Sequence, residues 1–449
     1  MSNSKWLTLF AGIYLCLSAL LFFNVPNIKA HFEVDSSIYT NQAENFERYG
    51  SFEKPGTVKC LHPYSIGYPI FIVFSRLILG KNYASVIFLQ IILALIMIFL
   101  TFRIAYYIFS KNIALISAFL VSVNLGFLLY PQLLLSETLI CFLLIFALER
   151  FISFWVRRQT SLLIMSGFLF GLSITVKASA LYLIFLLPIF LIFFLPGVLL
   201  KKTTQMLAFF LAFTVPVGSY LYRNKQIYGY YYLKSIDKIN LYFYFFPKIL
   251  EETEGLSYKE AVKKIQKEGR YSLTEYASGR GWSGVNKFFI DTIKGCPLLA
   301  TKIWMKNVFK TFLGLYTNHL KVLIYGDFYF GVCSFFKFSG SVLEKAWKYV
   351  SFGTNSKFLI FLGIFEFLTM MFRYLMIVFA FLFLLVERKY LFFLLFSSFI
   401  GYFGLITGHD GCGRFRFIFE SPLIILSVVG LFVVLNLVFK KNFKILREN

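Results

Sequence analysis

Five charged side chains next to apolar segments are the residues of this chain whose types suit a chemical reaction. Two are carboxylates and three are cations: Asp35, Glu137, Lys177, Arg414 and Arg416. A carboxylate accepts the proton of a hydroxyl, and nearby cations stabilise negative charge that develops on a leaving group. Such a set suits attack by a hydroxyl on a substrate from which a phosphate departs. Whether the five side chains meet depends on the elements that carry them.

The composition identifies those elements as membrane helices. Of 449 residues, 58% are hydrophobic and only 15% are charged, and the mean hydropathy is +0.72. Soluble domains contain about 25% charged residues, so a soluble globule is excluded. The sequence predicts an all-α polytopic membrane protein. Its net charge of +23 is spread between apolar runs, which indicates anionic lipid headgroups and predicts no nucleic acid partner.

A helix needs roughly 20 apolar residues to cross the hydrocarbon, and the sequence predicts a bundle of about ten such helices. The first is expected to be an uncleaved span, because Ile28 and Lys29 make a poor cleavage site before Ala30. The predicted spans cover residues 6–24, 82–109, 112–131, 134–155, 161–177, 180–200, 204–222, 358–386, 390–407 and 417–439.

Lysines and arginines of short loops favour the cytoplasmic side, which sets the orientation of these spans. With the N-terminus inside, the inner loops carry Lys111, Arg157 with Arg158, Lys201 with Lys202, and Arg388 with Lys389. We therefore expect a multi-pass protein of the cell membrane. Three parts are predicted: an N-terminal transmembrane module over 1–222 with a first outer loop at 25–81, an outer segment with amphipathic juxtamembrane helices over 223–357, and C-terminal transmembrane helices over 358–449.

This topology gathers the five charged residues at the outer face, together with His62, His409 and Asp410. Lys177 and the two arginines stand where the charge bias disfavours them, which indicates contact with an anion. Simpler roles stay open for three of these residues. Asp35 could cap an amphipathic helix, Glu137 could cap the next span behind Ser136, and Lys177 could reach outer headgroups. Four outward cysteines allow three disulfide pairings or none: Cys60, Cys296, Cys333 and Cys412.

Four short motifs resemble those of the GT-C glycosyltransferases, in the branch of the protein O-mannosyltransferases and the lipid A aminoarabinose transferase. The first is "DSSIYTNQAENFERYGSF" followed by "HPYSIGYPIFIVF", with an Asp, a Tyr four residues later and a Gly-Tyr-Pro before the next helix. The others are the acidic turn "LLLSETL", the lysine turn "GLSITVKASALYLIFLLP" and the arginine turn "GRFRFIFESPLIIL". They occur in the family's order, within the first 200 residues and the last 40.

The resemblance implies a GT-C-like bundle and a role for each motif residue. Asp35 would be the catalytic base and Glu137 would support the site, while Lys177 with Arg414 or Arg416 would contact a lipid phosphate. Weaker candidates for substrate contacts are Tyr39, His62, Tyr68, His409 and Asp410. Many relatives carry a second acid directly after the first Asp, and here Ser36 stands there. A metal ion is therefore not expected.

The leading hypothesis is an enzyme that transfers a sugar, with inversion, from a polyprenyl phosphate to an acceptor hydroxyl outside the cytoplasm. Its partners would be membrane lipid, the lipid-linked sugar, and an acceptor that is a glycan, a lipid or a protein. No other cofactor is implied. Two alternatives are a lipid-linked glycan flippase or other transporter, and an O-antigen polymerase. A purely structural scaffold would leave the outward clustering of charge unexplained.

Overall fold

The computed structural model describes most of the chain. The described residues are 3–25, 28–33, 35–55, 65–194, 197–229, 231–233, 240–268, 282–325, 334–440 and 443–447. Within these ranges the protein is built from helices, and the one β-type contact is an isolated bridge between Phe109 and Leu446. The predicted all-α polytopic fold is confirmed.

Nineteen helices of five or more residues make up the described part of the chain, apart from short 3-10 and π-helical turns. They are α1 (Asn3–Asn24), α2 (Ser36–Tyr49), α3 (Gly67–Leu79), α4 (Tyr83–Ile108), α5 (Lys111–Ser122), α6 (Leu125–Leu129), α7 (Glu137–Arg157), α8 (Thr160–Val176), α9 (Leu183–Phe194), α10 (Leu199–Tyr228), α11 (Phe246–Glu254), α12 (Tyr258–Glu268), α13 (Trp282–Gly295), α14 (Pro297–Leu313), α15 (Tyr316–Tyr325), α16 (Val342–Ser351), α17 (Lys357–Val386), α18 (Tyr390–Ile406) and α19 (Glu420–Phe439).

Seven of the ten predicted spans are long and apolar enough to cross a membrane, counting the helical turns that extend α18 and precede α19. The other three differ from the prediction. The span expected at 112–131 is bent by 49° between α5 and the helices that follow it. The Asn124 side chain accepts a hydrogen bond from the Gly126 backbone and so starts α6 as a separate helix. The spans expected at 161–177 and 180–200 contain the shorter helices α8 and α9.

The centre of the bundle is formed by α4, α5, α7 and α19. Of these, α7 is buried along almost its whole length, and α4 packs against both α5 and α7. Elsewhere glycines bring helices close together: a Cβ atom at Gly167 of α8 or at Gly430 of α19 would strike a backbone carbonyl of α10 or α17. Small residues at such crossings are typical of membrane helices, where close packing holds neighbours together.

In its described residues, the segment over 223–357 that the sequence predicts to be outer consists largely of helices, several of them amphipathic. The helices α11, α13 and α14 share a small hydrophobic core that includes Phe246, Phe289 and Ile303. The end of α14 and the start of α15 lie against the turns that precede α19. The outer segment therefore packs onto the same end of the bundle as the charged motif residues.

Candidate active site

Glu137 is the first residue of α7, and it lies almost fully buried at the centre of a charged cluster. Its side chain is 2% exposed, and its Oε1 atom lies 2.8 Å from Lys177 Nζ and 3.1 Å from Arg414 Nε. A carboxylate at this depth requires paired cations because burial without them is costly. Glu137 thus holds two of the predicted cations side by side.

Lys177 follows directly on α8 and turns inward to this cluster. Besides its ion pair with Glu137, its ammonium lies 5.1 Å from the centre of the Phe415 ring. The glycine of the Gly-Tyr-Pro motif fixes the surroundings, since a Cβ at Gly67 would lie 2.6 Å from the carbonyl oxygen of Thr175. The start of α3 is therefore packed tightly against the lysine turn. The Lys177 ammonium is bound to Glu137 and does not extend toward headgroups.

Asp35 stands at the N-terminus of α2, yet its side chain makes no capping hydrogen bond to that helix. Its Oδ2 atom lies 2.8 Å from Arg414 Nη2, and the side chain is 16% exposed. The simple capping role considered from the sequence is therefore wrong. Asp35 instead faces the arginine turn, more than 370 residues later in the sequence.

Arg414 is the cation on which the carboxylates converge. It lies in the helical turn Gly413–Arg416, before α19, and its side chain is 17% exposed. Besides Asp35 and Glu137, it approaches Glu33, with 3.8 Å between Nη1 and Glu33 Oε2. Three carboxylates thus surround the guanidinium of Arg414, and one of them, Glu137, also pairs with Lys177.

Glu33 and His319 are members of this cluster that the sequence reasoning did not assign. The Nδ1 atom of His319, in α15, lies 3.1 Å from Glu33 Oε1. The signal for Glu33 was its place two residues before Asp35 in the same outer loop. No signal pointed to His319, because the outer segment carries no recognisable pattern. His31, from the same opening stretch, contacts the carbonyl oxygen of Gln132 through Nδ1 and supports the loop.

Arg416 lies apart from this cluster, so of the two arginines that the sequence offers for a phosphate contact, Arg414 is the one that belongs to it. It is fully buried, and its Nη1 atom donates to the carbonyl oxygens of Phe312 and Gly314 at 2.9 and 2.8 Å. It also pairs with Glu420 at 3.1 Å and with Glu366 at 3.6 Å. Arg416 thus joins α14, α17 and α19.

The same buried network includes the two charges that the sequence places within the eighth predicted span. Glu366 accepts hydrogen bonds from the backbone of Tyr316 and Thr317, and so caps α15. Arg373 pairs with Glu420. Glu366 is therefore bound to the outer segment, and Arg373 is bound to α19.

A cavity of about 270 Å³ opens beside the charged cluster. Its polar lining includes Asp35, Tyr39, Lys177, His409, Asp410 and Arg414. Apolar side chains from α18 and from the turns before α19 line another part, among them Phe403, Ile406 and Ile418. The cavity thus brings a carboxylate and two cations to the edge of an apolar surface.

The weaker sequence candidates are distributed unevenly around this cavity. Tyr39 lines it and contacts the Ser136 hydroxyl at 3.2 Å, and His409 contacts the Asn240 amide at 3.0 Å. Tyr68 is fully buried and donates to Gln90 at 2.9 Å, so it supports Tyr39, with a ring-centre distance of 5.0 Å, and does not line the cavity. His62 lies outside the described residues.

The described residues offer neither a metal-binding group nor a reactive thiol at this site. No group of three or more His, Cys, Asp or Glu side chains there is arranged to hold a metal ion. Cys412 is a free thiol next to the arginine turn, and burial raises its pKa to about 12, so it is not a ready nucleophile. Cys296 is also free, while Cys60 and Cys333 lie outside the described residues.

Part of the chain is similar to a known protein family. Residues 62–220 match the family described as dolichyl-phosphate-mannose-protein mannosyltransferase. This match covers the lysine turn, the acidic turn and the Gly-Tyr-Pro motif. No curated protein matches the chain by sequence.

Solved structures share the fold over nearly the whole chain. The apo oligosaccharyltransferase of Archaeoglobus fulgidus has 14% sequence identity and a TM-score of 0.54, and the match covers 96% of this chain and 50% of that one. The same archaeal enzyme, AglB, in complex with an inhibitory peptide and a dolichol-phosphate, has 13% identity, a TM-score of 0.54, and coverage of 99% and 52%. The chain thus spans about half the length of these proteins.

A third structure, ArnT from Cupriavidus metallidurans bound to undecaprenyl phosphate, matches with 12% identity and a TM-score of 0.41, covering 96% of this chain and 79% of that one. The mannosyltransferase-family match and the shared oligosaccharyltransferase fold confirm the resemblance indicated by the four motifs: the chain has the GT-C glycosyltransferase fold.

Proposed function

We propose that this protein is an inverting glycosyltransferase that uses a polyprenyl-phosphate sugar as donor and Asp35 as general base. The observation that carries the proposal is the cluster at the cavity wall, where Asp35 meets Arg414 at 2.8 Å and Lys177 lies beside Glu137. The family match and the dolichol-phosphate bound by AglB, a protein of the same fold, support a lipid phosphate as the donor's carrier.

In the proposed reaction an acceptor hydroxyl attacks the anomeric carbon from the face opposite the phosphate. The new glycosidic bond forms as the bond between the anomeric carbon and the phosphate oxygen breaks. The hydroxyl proton passes to the Asp35 carboxylate, and the polyprenyl phosphate leaves with the electron pair of the broken bond. The sugar's configuration is inverted because a single displacement takes place.

Arg414 and Lys177 are the cations that would bind the leaving phosphate. Both line the cavity, and both are preorganised by Glu137, which fixes their positions before the donor arrives. Preorganised cations stabilise charge that develops in the transition state without the cost of reorienting solvent. Glu137 is thus a positioning residue, since its carboxylate lies behind the cations.

Arg414 would also control the strength of the base. In the structure its guanidinium lies against the Asp35 carboxylate, and a cation at this distance favours the deprotonated form. A donor phosphate bound to the same guanidinium would share its positive charge, which would weaken the pair with Asp35 and leave Asp35 a better proton acceptor. Donor binding would therefore precede activation of the acceptor.

The apolar part of the cavity suits the lipid portion of the donor. Phe403, Ile406 and Ile418 lie beside the cations, so a phosphate at the headgroup level and a chain in the bilayer would be bound together. With the orientation given by the basic inner loops, we place this site at the extracytoplasmic face of the cell membrane. The acceptor would be a glycan, a lipid or a protein at that face.

A transport function would use buried charges within the membrane as a relay. Buried intramembrane charges of the described residues instead have fixed partners: Glu366 binds the backbone at the start of α15, Glu420 pairs with Arg373 and Arg416, and Glu149 pairs with Arg103 and Arg150. They have the contacts of a structural network. We therefore do not propose a flippase or a polymerase.

The proposal is tested by mass spectrometry of surface glycans, glycolipids and proteins from cells that contain the chain and from cells that lack it. We expect one hexose or pentose to be missing from one class of envelope molecule in the deleted cells, and to return when the gene is restored. As a control, deleted cells receive the empty vector. Identical glycans in the wild-type cells, the deleted cells with empty vector and the restored cells would contradict the proposal.

A further inference from the structure

A group of lysines on the outer segment lies next to the cavity and takes no part in the proposed chemistry. Lys248 belongs to α11, while Lys306 and Lys310 belong to α14, four residues apart and so on one face of that helix. We call these three residues the outer lysine cluster. Lys248 and Lys310 are half-buried, and Lys306 is exposed.

The cluster borders the cavity through Asp410. The Nζ atom of Lys248 lies 3.8 Å from Asp410 Oδ1, and Asp410 itself lines the cavity beside His409. The helix α14 packs closely on this part of the chain: the Asn307 amide donates to the Gly408 carbonyl at 2.9 Å, and Trp304 donates to Leu405 at 2.9 Å. The lysines are therefore held at a fixed position relative to the reaction centre.

The positive charge of the cluster is only partly neutralised. Asp410 and Glu251 are the carboxylates that act on Lys248, whereas Lys306 repels it. Burial, and then repulsion from Lys248, lower the pKa of Lys310 to about 8. The ammonium of Lys310 donates to the neutral Asn307 side chain at 2.8 Å. Three lysines thus face two carboxylates, and an added anion would relieve the excess.

The wall between this cluster and Asp35 is suited to a polar ring. Asn240, Tyr244 and Trp304 all line the cavity, and all come from the outer segment. Aromatic and amide side chains provide stacking surfaces and hydrogen bonds for a ligand with many hydroxyl groups. A molecule placed along this wall would reach from the lysines to the catalytic carboxylate.

We propose that the acceptor carries an anionic group, a phosphate or a carboxylate, which the outer lysine cluster binds while a hydroxyl of the same molecule reaches Asp35. This inference rests on the proposed function and assigns the acceptor's chemical class. Lysines at a membrane surface also attract anionic lipid headgroups, and both ligands share the same chemistry. The half-burial of Lys248 and Lys310 beside the cavity favours the acceptor.

Binding to the full-length protein in phosphatidylcholine nanodiscs tests the proposal. The probes are glucose 6-phosphate and glucuronate, with glucose as the neutral control, and isothermal titration calorimetry gives each Kd. The variant carries Lys248→Gln, Lys306→Gln and Lys310→Gln. Its matched control carries three Lys→Gln changes on the exposed face of α12, at Lys259, Lys263 and Lys267.

We expect both anionic probes to bind the wild type and the α12 control more tightly than glucose does. The affinity of the anionic probes for the cluster variant should be at least about tenfold lower than for the wild type, because each lost lysine removes a charge-assisted contact. Equal affinities for the charged and neutral probes, or an unchanged affinity in the cluster variant, would overturn the proposal.

A second set of nanodiscs that contains phosphatidylglycerol separates the two sources of anion. Probe binding that persists there supports an acceptor site, whereas loss of probe binding would assign the cluster to headgroups and refute the proposal. No donor is present in these titrations, so their result does not depend on sugar transfer. Failure of the proposed function would instead appear as unchanged surface glycans.

Discussion

Replacing Asp35 with asparagine should remove sugar transfer while leaving the protein folded. Asparagine has the same shape but cannot accept the proton of the attacking hydroxyl. Loss of a general base costs roughly 10²- to 10⁴-fold in rate, or about 3–5 kcal/mol in activation free energy. Arg414 keeps Glu137 at 3.1 Å and Glu33 at 3.8 Å, so no buried charge is left unpaired. We expect a stability loss of only about 1 kcal/mol.

The assay for this prediction measures transfer of a labelled sugar from polyprenyl-phosphate donor in membranes from cells that express each variant. Folding is checked in parallel by yield and by size-exclusion profile in detergent. Asp291→Asn is the matched control, because Asp291 is an exposed carboxylate of α13 outside the cluster. Its transfer rate should equal that of the wild type.

A refutation of the base assignment would be clear. If Asp35→Asn transfers sugar within about threefold of the wild-type rate, the difference in activation free energy is only about 0.6 kcal/mol. An effect that small is incompatible with loss of the proton acceptor. The proton would then have to pass to another group, and the proposed mechanism would fail.

Three further changes test the rest of the site. Lys177→Ala should raise the KM for the lipid donor about tenfold because one phosphate contact is lost. A donor titration measures this KM, with Lys201→Ala in the first turn of α10 as the control. Equal KM values for the two variants would exclude a phosphate role for Lys177. Arg416→Met should reduce the yield of folded protein, because removing the cation that pairs with buried Glu366 and Glu420 costs about 3–5 kcal/mol. A normal yield combined with a raised KM for the donor would instead indicate that Arg416 contacts the donor. Lys310 has a folded-state pKa of about 8, below the ordinary value of 10.5, so its charge destabilises the fold below pH 8 and this cost disappears as the pH rises to 10.5. The apparent Tm of the wild type should therefore rise relative to that of Lys310→Gln between pH 8 and pH 10.5. A difference in Tm that stays constant over this range would contradict the lowered pKa of Lys310.

The bundle and much of the cluster could be predicted because hydropathy and loop charge constrain them directly. Apolar stretches of about 20 residues give the spans, and the lysine and arginine bias gives their direction. Against that bias Lys177 and Arg414 stand out as exceptions. Their position at one face, with Asp35 and Glu137, followed from the parity of the spans, and the structure places the four side chains in one cluster.

The remaining contacts depend on side-chain direction and on long-range packing, which local patterns do not contain. Arg414 and Arg416 are equivalent by composition, but two residues in a helical turn point to different sides, and one is buried. The contact between His319 and Glu33 joins positions 286 residues apart. The bend after α5 was missed because the surrounding residues are apolar enough for one continuous span.

The helical turn Gly413–Arg416 connects the end of α14 to the start of α2 through its two arginines. Arg416 donates hydrogen bonds to carbonyl oxygens at the end of α14, and Arg414 faces Asp35, the proposed base. The end of α14 cannot be displaced unless the turn moves with it or those bonds break. A ligand that shifts α14 would therefore alter how tightly the opposite side of the cavity holds its own ligand, and by thermodynamic reciprocity the reverse must hold equally.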